Sequence, residues 1–403
     1  MSGVISDNTV RSSGVVAPLS SATLDANDPA RDTNPTDGVG TKWINTTSGQ
    51  IFVCINATTD ANQWIGQTKS AIQSRGFSCA GYSDYLNEHN FSSPGKIADM
   101  EYWNPSTLGD AQAFGNLISA NQYFLGTSNG INDRGIFGGG CTAAMCPTNE
   151  IQYFTQSTGG FTVDFGNLTE ARTYGAAASN GTTDRATWGG GGKGSDVKTN
   201  TIDYVTISST GNAADLGDLT QARDYCSGLD NGTNDRGIEA GGRTNPAPPN
   251  AHTNGIDYWT ISTTANASDF GDLTNTRMAA ATCSNDTNNR GLFMAGSYGG
   301  SYANNIDYIT INTTGNATDF GDMAGVDPPG YPTANGARGH STGTSNGTAE
   351  RGFMVGGYTS ISGTESWYKQ IEYVTISTPG NSAAFGNLIL RVYGPGCCNN
   401  TFG

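Results

Sequence analysis

Two spaced signatures, each occurring six times, constrain this chain more than any other feature. In the first, an arginine is followed six residues later by a glycine with a small residue before it: Arg75/Gly81, Arg134/Gly140, Arg185/Gly191, Arg236/Gly242, Arg290/Gly296 and Arg351/Gly357. In the second, a tyrosine is followed twelve residues later by Phe or Leu and then Gly-Asp or Gly-Asn: Tyr102/Phe114, Tyr153/Phe165, Tyr204/Leu216, Tyr258/Phe270, Tyr308/Phe320 and Tyr373/Phe385. Such regularity marks a chain built from one supersecondary unit whose copies bury their apolar faces against each other.

Each unit spans about 50 residues and reads as four short strands. In Arg223–Leu273 a first strand lies near "DYCSGL", and "DNGTND" follows as a turn whose Asn-Gly favours a tight hairpin. The second strand is "RGIEAGG" and the third "IDYWTI"; a second turn, "STTANA", leads to a fourth strand near "SDFGDL". The third strand carries Ile256, Tyr258, Trp259 and Ile261, which fall on both of its faces. Apolar residues on both faces suit a sheet sandwiched between two others. Glycine supplies 57 residues, about twice the usual share of roughly 7%, as many tight turns require.

The paired small residues ending the second strand, the tyrosine of the third, the aromatic of the fourth and the recurring arginine resemble a kelch repeat. The fourth-strand aromatic is Phe where kelch repeats usually carry Trp, and the turn before it is longer, so the resemblance is to a divergent kelch-like β-propeller. The expected fold class is all-β: a six-bladed propeller over 75–403, with an extended arm at 1–40, a small β-hairpin module at 41–67 and a linker at 68–74.

One spacing implies how such a ring would close. From the glycine of the fourth-strand motif to the next arginine is 19 residues in four units, as from Gly217 to Arg236. From Gly386 the same step overshoots the last residue, Gly403, while "SRGFSCAG" at Ser74–Gly81 has no matching first strand before it. The C-terminal "RVYGPGCCNN" is therefore expected to pair with Arg75–Gly81, which removes free sheet edges.

The loops between second and third strands vary in length, and the one long connection, Met323–Arg338, falls on the same side. Tyr82, Tyr85, Phe91, Tyr298, Tyr302, Tyr331, Trp367 and Tyr368 lie in these segments. Rigid aromatics on variable loops suit recognition of a sugar or a protein, so these eight are the candidate recognition face.

Composition excludes several functions. The formal net charge is −15, with no basic surface for phosphate backbones or anionic lipid, so neither nucleic acid nor membrane is expected as a partner. No run of about 20 apolar residues exists to span a bilayer. "MSGVISDNTVRSSGVV" lacks the pattern of a secretory signal, and the eight cysteines read as those of a chain made in a reducing cytoplasm, not a disulfide scaffold, with Cys79, Cys226, Cys283 and Cys397 or Cys398 as small buried hydrophobes in strands.

Residues 1–40 are rich in Ser, Thr, Asp, Asn and Pro without a strand or helix period. Residues 41–67 alternate around "NTTSGQ", with Trp43, Phe52 and Trp64 as a miniature core. This stretch resembles W-x-N-T-x-[ST]-G-x-[IV]-[FWY]-[VI]-C modules near the starts of tailed-bacteriophage fibre and other virion proteins. With the Asn/Thr-rich repeats, the chain resembles kelch-like virion proteins of tailed, particularly marine, phages. The resemblance implies a virion location after synthesis in the host cytoplasm, attachment to other virion proteins through the N-terminal region with Trp43, Phe52 and Trp64 as candidate anchoring residues, and several copies per particle.

Sites for chemistry are weak. His89, His252 and His340 offer no ligand spacing, Cys141 and Cys146 match no common zinc pattern, and the Asn/Asp-rich turns lack the order of a calcium loop. The turn motif of sialidase-like propellers is absent. Asp84, Glu88, Asp327 and Glu365 could supply paired carboxylates on the variable side. No catalytic, cofactor or metal site is expected. The leading expectation is a non-enzymatic phage structural protein of the tail, a fibre or tip component whose propeller face meets a host-surface glycan or protein or a neighbouring virion subunit. The alternatives are a capsid-decorating or vertex protein and, from another class, a polysaccharide-degrading propeller enzyme.

Overall fold

The computed structural model describes residues 22–27, 29–30, 32–46, 51–60, 62–66, 74–83, 95–244, 251–298, 301–325, 336–361 and 364–400. The described chain is all-β, made of many small sheets with short 3-10 turns and no α-helix among the described residues. It divides into two compact units, Met1–Ala71 with Ser157–Gly159, and Ile72–Gln156 with Gly160–Gly403.

In the first unit, Thr23–Asp25, Lys42–Asn45, Ile51–Asn56 and Gln63–Gly66 form one four-stranded sheet in that order. Phe52, Cys54 and Trp64 are buried in it, and Trp43 meets Trp64 edge-on at 5.9 Å. The hairpin expected at 41–67 thus gains two strands. Thr23–Asp25, assigned to the arm, pairs in parallel with Trp43–Asn45, and the Trp43 indole donates to the Asn27 carbonyl at 2.9 Å. Three residues are too few to show a strand period in sequence.

The second unit contains six four-stranded antiparallel arrays. Sheet I draws on both ends of the unit: Gly396–Asn399, Gly76–Cys79, Gly95–Trp103 and Gln112–Gln122. The other five are continuous in sequence. Sheet II holds Leu125–Ser128, Arg134–Gly138, Glu150–Thr155 and Val163–Asn167; sheet III holds Ala176–Ser179, Arg185–Gly189, Thr201–Thr206 and Ala214–Asp218. Sheet IV holds Ser227–Asp230, Arg236–Ala240, Gly255–Thr260 and Ser268–Asp272; sheet V holds Ala281–Ser284, Arg290–Met294, Asn305–Thr310 and Thr318–Asp322. Sheet VI holds Thr342–Ser345, Arg351–Val355, Gln370–Thr375 and Ala383–Asn387. In sheet I, Gly396 to Asn399 pair with Cys79 to Gly76, the partnership expected from the 19-residue spacing.

Each first strand touches the first strand of the next sheet, from I to VI, and that of sheet VI also touches that of sheet I. The apolar core lies between neighbouring sheets. Leu229, Ile238, Ile256 and Phe270 of sheet IV, for example, pack against Phe293 and Ile309 of sheet V.

The two signatures are the devices that join one sheet to the next. Each signature arginine lies over the tyrosine of its own third strand, from 4.2 Å for Arg185 and Tyr204 to 5.2 Å for Arg351 and Tyr373. Its guanidinium then donates to a carbonyl of the following sheet: Arg134 to Ile207 at 2.7 Å, Arg185 to Ile261 at 3.1 Å and Arg236 to Ile311 at 2.9 Å. Arg290 continues to Ile376 at 3.2 Å, Arg351 to Pro105 at 2.9 Å, and Arg75 to Gln156 at 2.8 Å. The glycine of the fourth strand admits the turn of the next sheet. A Cβ on Gly217 would stand 2.5 Å from the Ala265 carbonyl oxygen, and one on Gly166 would stand 2.3 Å from that of Gly211.

Four further arginines, Arg172, Arg223, Arg277 and Arg338, are fully buried. They pair with Asp203 at 3.1 Å, Asp257 at 2.8 Å, Asp307 at 2.8 Å and Glu372 at 3.0 Å, each acid preceding a third-strand tyrosine.

Two local expectations are corrected. The Asn-Gly turns are 3-10 turns such as Gly232–Asn234, not tight hairpins. The Asn231 side-chain oxygen accepts the Arg236 amide at 2.8 Å, so the asparagine closes a longer loop, as Asn129 and Asn180 do before Arg134 and Arg185. Cys141 and Cys146, read as thiols, form a disulfide. The "CTAAMC" loop turns back on itself, the Thr142 amide donating to the Met145 carbonyl at 2.9 Å. The other six cysteines are free and buried.

Candidate binding site

The six first strands line one cavity and are the inner strands of the unit; each is preceded by a backbone motif that no single repeat reveals. Two residues before each strand stand Tyr123, Tyr174, Tyr225, Ala279, His340 and Gly394, all in the left-handed region with φ between 53° and 62°. Only Gly394 adopts it without a steric penalty; for the others it costs on the order of 1–2 kcal/mol each. Backbone hydrogen bonds from one sheet to the next hold the arrangement. The Gly394 amide donates to His340, His340 to Ala279, Ala279 to Tyr225, and Tyr123 to Gly394, over 2.6–3.1 Å.

This geometry brings the side chains together at one end of a central cavity of about 180 Å³. The rings of Tyr123 and Tyr174 lie 4.0 Å apart, and Tyr174 stacks on Tyr225 at 3.8 Å. His340 stands 5.8 Å from Tyr123, 5.6 Å from Tyr225 and 6.0 Å from Tyr393. From Tyr393 the array spreads to Tyr358 at 5.7 Å, Trp367 at 5.5 Å and Tyr82 at 5.4 Å, and Tyr302 joins Tyr358 at 5.8 Å. All nine rings are half-buried, so each keeps part of its surface open.

The electrostatics of this array are close to neutral. Burial, followed by the charge of Arg243, lowers the His340 pKa to about 4, so its imidazole is uncharged near pH 7. Burial first, then the neighbouring phenols of Tyr174 and Tyr393, pushes Tyr123 far up, which leaves it a hydrogen-bonding phenol. Tyr302 is pushed up to about 12, chiefly by burial. Arg243 lies 4.3 Å over the Tyr225 ring and is balanced by Asp224 at 2.7 Å. Glu365 accepts the Tyr358 hydroxyl at 2.9 Å. The arrangement offers flat apolar surface with hydroxyl groups at its edges.

Of the eight residues picked from sequence, Tyr82, Tyr302 and Trp367 belong to the array, and Tyr298 is 47% exposed in the Ser297–Tyr302 hairpin. Tyr368 does not face solvent. It is 1% exposed with Arg338 at 4.9 Å over its ring, because the strand alternation that exposes Trp367 turns its neighbour inward. Tyr85, Phe91 and Tyr331, with Asp84, Glu88, His89 and Asp327, lie outside the described residues. His252 is bridged to Arg243. Sequence reasoning missed Tyr123, Tyr174, Tyr225, Tyr358 and Tyr393. A signal existed for three of them, since Arg172, Arg223 and Arg391 each precede a tyrosine by two residues.

In the first unit, Phe52 and Trp64 are consumed by their own sheet. Among the described residues no group of three or more His, Cys, Asp or Glu is placed to hold a metal ion, and no helix is long and apolar enough to cross a membrane. No family model matches the chain, and no curated protein matches it.

Proposed function

We propose that the second unit is a kelch-like six-bladed β-propeller whose aromatic mouth is a recognition surface for a neutral glycan, in a non-enzymatic virion protein of a tailed phage. The aromatic array around His340 carries the reading. Tyr and Trp faces pack against the C–H faces of sugar rings, their hydroxyl and N–H groups bond to sugar hydroxyls, and an uncharged His340 does not demand an anion. The strained left-handed backbone at Tyr123, Tyr174 and Tyr225 supports it too, since such conformations concentrate at binding sites. The cyclic order of inner-strand contacts and arginine hydrogen bonds supports the propeller.

The virion location rests on the resemblance of residues 41–67 to phage fibre modules. Attachment at the tail through the N-terminal region, in several copies, would convert weak binding at each mouth into avid adsorption. The test is adsorption of the purified chain to host cells. Trp367→Ala and Tyr393→Ala should each reduce binding at least about tenfold, with circular dichroism like that of the native chain. Unchanged binding in both variants, or release of reducing sugars from host glycan, would overturn the reading.

A further inference from the structure

At the opposite end of the inner strands a carboxylate enters the repeated pattern twice, in adjoining sheets. The strand ends on Ser128 in sheet II, Ser179 in III, Ser284 in V, Ser345 in VI and Asn399 in I, but on Asp230 in sheet IV. Two residues beyond the strand end, the turn begins with Gly130, Gly181, Gly232 and Gly347, but with Asp286 in sheet V. Both departures introduce a carboxylate, both line the central cavity, and the strands and turns that carry them are in contact.

Asp286 is costly where it stands. It takes the left-handed conformation (φ 49°) that its counterparts meet with glycine. It is 1% exposed, and neither carboxylate oxygen has a hydrogen-bond partner. Asp230, also buried, accepts the Ser179 amide at 2.9 Å and the Gly232 amide at 3.1 Å. A serine and a glycine in these places would cost nothing, as the sister sheets demonstrate. Burial of two carboxylates in one cavity without a cation is unfavourable unless protons or a ligand compensate.

We propose that Asp230 and Asp286 bind a hard divalent cation, Ca²⁺ or Mg²⁺, in the central cavity. The donors are all oxygen, with the Ser284 hydroxyl of sheet V also lining the cavity and water to complete the shell, a set that favours these ions over softer transition metals. Two carboxylates match a charge of two. The ion ties sheet IV to sheet V and stiffens the inner strands at the end away from the aromatic mouth.

The test uses the full chain freed of metal with EDTA, titrated calorimetrically and melted with CaCl₂ or MgCl₂ against NaCl at matched ionic strength. One ion should bind per chain, and millimolar divalent salt should raise the melting temperature by about 3–5 °C. Asp286→Gly restores the residue of the sister turns and relieves the backbone, so it should fold. It should lose at least about tenfold in ion affinity and most of the melting shift. Asp230→Ser should behave likewise. Absence of a divalent effect on the native chain overturns the proposal, and points to protonated carboxyls in place of a bound ion. An equal effect in Asp286→Gly also overturns it, since that would be diffuse binding to a chain of net charge −15.

Discussion

Sheets I and IV are built to the same four-strand plan and held by different forces. Sheet IV is continuous in sequence and has Arg223 buried against Asp257 at 2.8 Å. In sheet I the acid before the third-strand tyrosine is Glu101, but Val392 occupies the place where the arginine would stand, because Arg391 lies one residue nearer to its preceding glycine. Glu101 instead accepts the amides of Ile389 at 2.7 Å and Leu390 at 3.3 Å. Sheet I compensates with backbone pairing and aromatic packing. It recruits Tyr82–Ser83, Cys141–Thr142 and Gly160–Phe161 as further strands, and Phe77 packs on Phe114 at 5.0 Å and on Phe154 at 5.1 Å. A sheet assembled from distant ends of a chain thus relies on extensive pairing, whereas a continuous one can tolerate a buried ion pair that adds little net stability.

That contrast can be broken most forcefully at sheet I. Ending the chain after Pro395 removes the strand Gly396–Asn399, its four residue pairs with Gly76–Cys79 and the buried Cys397 and Cys398. The loss should exceed about 5 kcal/mol from burial and hydrogen bonds together, enough to abolish cooperative unfolding of the second unit. A truncated chain melting like the full one would contradict the role assigned to that strand.

In sheet IV the largest effect should come from separating the ion pair. Arg223→Ala strands a buried carboxylate and should cost about 3–5 kcal/mol in denaturant unfolding. Replacing both partners together, as Arg223→Met with Asp257→Leu, should cost far less. If the double variant is as unstable as the single one, the pair contributes more than geometry.

The smallest effect sharpens the comparison through pH. Burial pushes the Glu101 pKa up to about 7, against the opposing pull of the two amides. The folded state therefore holds this proton more tightly than the unfolded chain. The stabilisation is fully present below the unfolded value, near 4.5, and is lost as pH rises through about 7. Glu101→Gln should remove up to about 3 kcal/mol of that slope between pH 4.5 and 7. An unaltered pH profile would show that the glutamate keeps its charge.

Much of this could be read in one dimension. The interval from Gly217 to Arg236 located the pairing of Gly396–Asn399 with Gly76–Cys79, because a repeat carries its own ruler. Asn231 was noticed but misread: its side chain closes a 3-10 turn through the Arg236 amide, and a side-chain acceptor leaves no mark in strand periodicity. Tyr82 and Trp367 were visible as loop aromatics. Tyr225 is hidden in sequence because it falls in the stretch "DYCSGL" that reads as a first strand, and Tyr174 holds the same place one repeat earlier.

The order of strands, the limits of each sheet and the residues joining neighbours were determined by the sequence itself, through local alternation and fixed spacing. The assembly of the aromatic mouth, and the meeting of Asp230 with Asp286, were decided only in three dimensions. Each inner strand contributes a single residue at either end, and those residues lie about 50 positions apart in the chain. Their proximity comes from the way the sheets pack around a common cavity, which spacing within any one repeat does not encode.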